Sequence, residues 1–177
     1  MVFVDIAPGA ERPESAVLNS ELIVYGAVVK LDPARFNSPD GKPWRSTTEE
    51  DMSMIFETFY VQPEEVLKGS PRFGTPVAFM LMGGTEGIPS SRVKIGEKVL
   101  VFGHYNQGVL GNVSWKSDAY WPWLGELGIY RPNGATLASH DSVSGGMELK
   151  VTMGQIRDLI ANWRPLPCSE DTPQQTK

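Results

Sequence analysis

The apolar residues of this chain fall in short runs, each bounded by turn formers. Val99-Leu-Val-Phe102 is the most concentrated, entered from the Gly96-Glu-Lys turn and closed by Gly103. A short run rich in β-branched and aromatic residues between turns predicts a strand buried on both faces. This one is the expected centre of the fold. Glu21 to Leu31 predicts a second strand, with Gly26 marking a bulge or bend. Met52 to Val61 predicts a third, with Met54, Phe56, Thr58 and Tyr60 on one face and Ile55, Glu57, Phe59 and Val61 on the other. Two largely apolar faces require cover on both sides. Pro63 has no amide proton to donate, so the ladder is expected to end or bulge there, with Glu64 to Gly69 leading on to a turn at Ser70-Pro71. Pro76 to Met82 predicts another strand before Gly83-Gly84. Leu127 to Arg131 and Ala135 to Ser139, around Pro132-Asn133-Gly134, predict a hairpin.

Helical spacing appears once, near the C-terminus. Thr152 and Gln155 have the capping-box spacing, in which hydroxyl and side-chain amide satisfy the first free backbone donors of a helix. Ile156, Leu159, Ile160 and Trp163 then share one face, and Pro165 stops the helix. Residues 1–19 read as a lead-in in which Val2 to Ile6 forms an edge strand. Residues 20–164 read as one domain, and residues 165–177 as a flexible tail. The expected fold is mainly β, a five- to six-stranded OB-like closed barrel with a C-terminal α-helix, because closure removes the exposed edges of a small sheet.

Composition sharpens this picture in a few places. With 177 residues, 41% hydrophobic and 21% charged, the chain has enough apolar surface for one core without disulfide or metal. Its single cysteine, Cys168, has no partner, and two histidines make a metal centre unexpected. No cofactor is expected. A net charge of -5 argues against nucleic acid, whose phosphates need clustered Lys and Arg. No apolar run approaches the roughly 20 residues of a membrane span. The first ten residues lack the basic start and long apolar core of a signal peptide, which leaves a cytoplasmic protein or a processed chain.

The order of motifs carries a further reading. Glu21-Leu-Ile-Val-Tyr-Gly-Ala-Val-Val is followed by Phe59-Tyr-Val, Glu65-Val-Leu-Lys-Gly69, Met82-Gly-Gly84 and Val93-Lys-Ile-Gly-Glu-Lys-Val-Leu-Val-Phe102. This succession, with the later Gly128-Ile-Tyr and Asn133-Gly134, resembles the netrin-like OB-fold domains related to the tissue inhibitors of metalloproteinases, in particular the short bacterial exported type without disulfides. The resemblance spans about Ser20 to Ser139. It implies an OB fold and an extracellular or periplasmic, non-catalytic binding role. It does not imply protease inhibition, since the N-terminal cysteine that chelates zinc in those inhibitors has no counterpart beside Met1. Pro63-Glu64 departs from the pattern as an insertion.

Candidate chemistry concentrates between Val113 and Leu124. Trp115, Tyr120, Trp121 and Trp123 fall within nine positions, and aromatic rings there can stack on a protein or glycan partner at low entropic cost. The same residues could instead fold back and cap the barrel with their rings. The alternative is a structural or assembly subunit of a larger extracellular or envelope complex, pairing through Val2 to Ile6, and a hydrolase using His104 and Asp118 is the third and weakest reading. His140-Asp141-Ser142 has the residue types of a hydrolytic triad, but neighbours on an extended segment point apart. Gly83-Gly84-Thr85-Glu86-Gly87 lacks the Lys-Ser/Thr of a phosphate loop and reads as a turn. Arg72, Arg92, Lys94 and Lys98 form a basic set that would serve an anionic ligand only if the fold brought it together.

Overall fold

A computed structural model describes residues 12–45, 53–83, 92–105, 118–140 and 148–162. The central strand is where the hydrophobic run places it. β4 (Lys98–His104) buries Val99, Leu100, Val101 and Phe102 completely. Alternation sends Val99 and Val101 to one face and Leu100 and Phe102 to the other, into two separate apolar clusters. One edge of β4 pairs with β1 (Leu22–Phe36), from Leu22 opposite Gly103 to Ala27 opposite Lys98.

β1 then runs beyond the expected Leu31 and pairs with β2 (Ile55–Lys68), which in turn pairs with β3 (Val77–Met82). β2 continues through Pro63 rather than ending at it. The ladder slips between Tyr25 and Gly26, opposite Pro63, and this irregularity absorbs the missing donor. Gly26 is required at the slip, because a Cβ there would run into the carbonyl of Gln62. The bends it permits let the two long strands curl.

The other edge of β4 is shared by two partners in succession. β5 (Trp121–Pro122) pairs with His104 and Gly103, and β6 (Ile129–Asn133) pairs with Val101 and Leu100. Between them the chain makes an excursion through a 3-10 helix, Gly125–Gly128. It leaves at Trp123, whose N–H donates to the Phe102 carbonyl at 2.7 Å, and returns at Gly128, which must lack a side chain because the Trp123 backbone lies against it. β6 forms a hairpin with β7 (Thr136–His140), and β7 pairs with β8 (Glu148–Val151).

The sheet is therefore an open, strongly curled half-barrel with seven strands in the order β3-β2-β1-β4-β6-β7-β8, and β5 beside that path. This corrects the closed barrel of five to six strands expected from the sequence. Its ladders leave ends at β3 and β8, and a single parallel bridge from Phe79 to Tyr120 draws β3 towards the residues entering β5.

Inside the curl lie Leu22, Val24, Phe59, Val61, Phe79, Val101, Tyr120 and Ile129. The outer face of β1, β4, β6 and β7 is covered by two helices, α1 (Pro13–Asn19) and α2 (Met153–Asn162), rather than by the one expected. α2 begins with the predicted capping box, Thr152 N–H to Gln155 Oε1 at 2.8 Å and Gln155 N–H to Thr152 Oγ1 at 3.1 Å. α1 replaces part of the expected lead-in. Pro13 at its start has a backbone angle already set for a helix, and Ala16 and Val17 are its buried side. The outer face of β2 and β3 carries a third cluster, built on Phe56, Ala78 and Met80. Among the described residues no helix is long and apolar enough to cross a membrane. Val2 to Ile6, Trp163, Pro165 and the tail lie outside the described residues.

Candidate functional site

The aromatic segment does not act as one surface. Tyr120 is 2% exposed and points inside the curl, where its ring meets Phe79 at 6.0 Å. Its backbone ties the segment to β3, with Tyr120 N–H to Ala78 O at 2.9 Å and Met80 N–H to Tyr120 O at 2.8 Å. Its hydroxyl accepts from the Arg72 N–H at 3.0 Å. Of the four aromatic residues predicted to bind, Tyr120 is thus an anchor of the fold. Trp115 lies outside the described residues.

Trp121 and Trp123 stand on the outside of the sheet, each half-buried. Trp121 meets Phe56 edge-on at 5.3 Å and closes the β2–β3 cluster. Trp123 packs at the margin of the helix-covered cluster. Between them sits His104, which is opposite Trp121 in the ladder and 5.8 Å from Trp123, ring edge to ring face. Trp121 on β5, His104 at the end of β4 and Trp123 in the turn after β5 thus lie beside one another on the outer face.

His104 Nδ1 is buried and has no hydrogen-bond partner among the described residues. Burial holds the imidazole pKa below its ordinary value, partly offset by the Glu21 carboxylate. The acid that acts on His104 is therefore Glu21, whereas Asp118, its partner in the hydrolase alternative, lies exposed at the start of the aromatic segment. Among the described residues no group of three or more His, Cys, Asp or Glu could hold a metal ion.

The basic set does not converge. Arg72 pairs with Glu21 at 3.0 Å, and Lys98 pairs with Glu64. Arg92 lies between two buried acids, with its Nε 3.4 Å from Glu126 and 3.9 Å from Glu57, and it also donates to the Met82 carbonyl. Sequence reasoning did not foresee this internal cluster, because its members are 69 positions apart at the extremes (126 − 57).

Sequence reasoning also missed a group at the rim of the curl. Phe73, 44% exposed in the loop between β2 and β3, lies 5.4 Å from Tyr105 and 6.0 Å from Tyr120. The Arg72 guanidinium sits over the Tyr105 ring at 5.2 Å. The available signal was Tyr105, next to His104, together with an Arg-Phe pair at the tip of a Pro- and Gly-rich loop. Trp44, beyond the end of β1, donates its indole N–H to Asn37 Oδ1 at 2.9 Å. No protein-family model, no curated protein and no solved structure matches this chain.

Proposed function

We propose that this chain is a non-catalytic binding module of the netrin-like, OB-related kind, acting outside the cytoplasm. Its recognition surface for a protein or glycan partner is the row Trp121–His104–Trp123. The observation that carries the reading is the presentation of that row. Two indoles flank an imidazole where β4 meets β5, each indole is partly seated on packed side chains, and Tyr120 is locked in the core beneath. Rigid aromatics held this way offer contact area at little conformational cost, as at the centres of protein interfaces. Support for the OB-related kinship comes from the pairing of β1 with both β2 and β4, of β2 with β3, and from the parallel contact between Phe79 and Tyr120. The motif order quoted above is consistent with it.

The test is partner capture from envelope and cytoplasmic fractions, with the intact protein and a Trp121→Ala/Trp123→Ala variant as paired baits. The expected result is a partner retained by the intact protein only, with both baits giving the same far-ultraviolet circular dichroism. Equal capture by both baits would remove the aromatic row from the function.

A further inference from the structure

Resting on the reading above, we infer that the aromatic surface continues over the rim of the curl through Tyr105 and Phe73, and that its ligand is a neutral oligosaccharide. Glu21 joins the two parts, since its N–H donates to the carbonyl of Gly103, next to His104, at 2.9 Å and its carboxylate pairs with Arg72 at the rim at 3.0 Å. From Arg72 the surface runs to Tyr105, over whose ring the guanidinium lies, and to Phe73, whose ring is the most exposed of the set.

The chemistry of this surface fits sugars. Flat rings stack against the C–H faces of pyranose rings. Between them, Arg72 supplies several N–H donors and Glu21 supplies acceptors, side by side and both solvent-accessible, with 53% and 44% of their side chains exposed. A hydroxyl-rich ligand uses donors and acceptors at neighbouring positions, because each hydroxyl both donates and accepts. A proline-rich peptide offers carbonyl acceptors but few donors for the Glu21 carboxylate. An anionic ligand would meet a guanidinium already neutralised by its partner, in a chain of net charge -5. The pairing of Arg72 with Glu21 thus selects against charge while leaving hydrogen-bonding capacity at the edges of both groups.

The intact protein is titrated with soluble cello-, chito-, malto- and xylo-hexasaccharides, a sulfated oligosaccharide and oligoproline. Binding is followed by tryptophan fluorescence and calorimetry. Phe73→Ala and Arg72→Gln are compared with Trp121→Ala/Trp123→Ala after circular dichroism establishes their folding. The proposal expects at least one neutral hexasaccharide to bind with an affinity unchanged by high salt. It expects Phe73→Ala to weaken that binding at least tenfold and Arg72→Gln to weaken it measurably. Oligoproline binding that depends on the tryptophans, without sugar binding, overturns the sugar assignment and leaves the binding module standing. Preference for the sulfated ligand with strong salt dependence overturns neutrality. Sugar binding unaffected by Phe73→Ala overturns the rim extension. If no probe binds, the sugar assignment falls, and equal capture by the paired baits above separately removes the binding-module reading.

Discussion

Tyr120 separates the two roles open to an aromatic residue in this segment, and its replacement gives the sharpest prediction. The structure makes it an anchor. The ring is buried against Phe79, and the hydroxyl holds the loop between β2 and β3 through the Arg72 N–H. Tyr120→Phe keeps the ring and removes the bond accepted from the Arg72 N–H at 3.0 Å and the long one donated to the Ser70 carbonyl at 3.5 Å, both to exposed residues that can turn to water. The loss is therefore that of an ordinary hydrogen bond, about 0.5–1.5 kcal/mol. Tyr120→Ala empties a core site, and by analogy with Phe→Ala changes it costs roughly 3–5 kcal/mol. At about 2–4 °C per kcal/mol for a chain of this size, Tm falls by about 1–6 °C in the first variant and about 6–20 °C in the second. Differential scanning calorimetry reads the stability, and partner capture is measured well below both transitions. The anchor role requires Tyr120→Phe to capture partner as the intact protein does. Loss of capture in Tyr120→Phe with an unshifted Tm would refute it, because the hydroxyl would then be serving a ligand.

Three further outcomes follow from the same geometry. Arg92→Ala leaves Glu57 and Glu126 buried without their shared cation, with an expected loss of roughly 3–5 kcal/mol in urea unfolding. A loss below about 1 kcal/mol would mean the cluster is electrostatically unimportant, and adding Glu57→Gln should recover part of the deficit. Thr152→Ala removes one half of the capping box and should cost about 1 kcal/mol, read as a Tm lower by about 2–4 °C; an unchanged Tm would mean the helix start needs no cap. His104 titrates below its ordinary 6.5 in the folded protein, so the unfolded chain takes up its proton first as pH falls. Stability attributable to this residue is complete above pH 6.5 and declines as pH drops from 6.5 towards the folded pKa. A His104→Gln variant should lack that decline in pH-resolved urea titrations, and an identical pH profile would place the titration elsewhere.

Local rules made much of this fold legible in advance. Val99 to Phe102 could only be a strand buried on both sides, Gly26 had to mark a bend, and Thr152 with Gln155 had to begin a helix. Each of these depends on residues within a few positions of one another. The strand limits were harder, because Pro33 and Pro63 are local stop signals that tertiary pairing overrides by slipping the ladder. α1 did carry a signal, Pro13 at its first position and Glu14 in its first turn, but seven residues give too little periodicity to outweigh a Pro- and Glu-rich composition. The candidate site was legible as a concentration of rings and no further. Which rings face inward depends on the parity fixed where Tyr120 meets β3, and the contribution of Phe73 depends on the curl that brings the rim together. The joining of Glu57, Arg92 and Glu126 has no local signature at all.

The shared edge of β4 also constrains the order in which the molecule can assemble. β5 and β6 use different halves of the same row of backbone groups, and the turn between them includes Leu124 in a left-handed conformation, φ 54°, that a leucine adopts only at a cost of about 1–2 kcal/mol. Neither half can dock until β4 is in place, and β4 in turn relies on β1, which lies about 80 positions earlier in the chain (103 − 22 = 81). β5 and β6 therefore both wait on one distant pairing, whereas β1, β2 and β3 can pair among themselves before it. Contacts of such long sequence separation slow folding. Elements beyond β6 are tied to the same pairing, because Leu137, Val151 and Ile156 build the cluster against which Trp123 of the aromatic row packs.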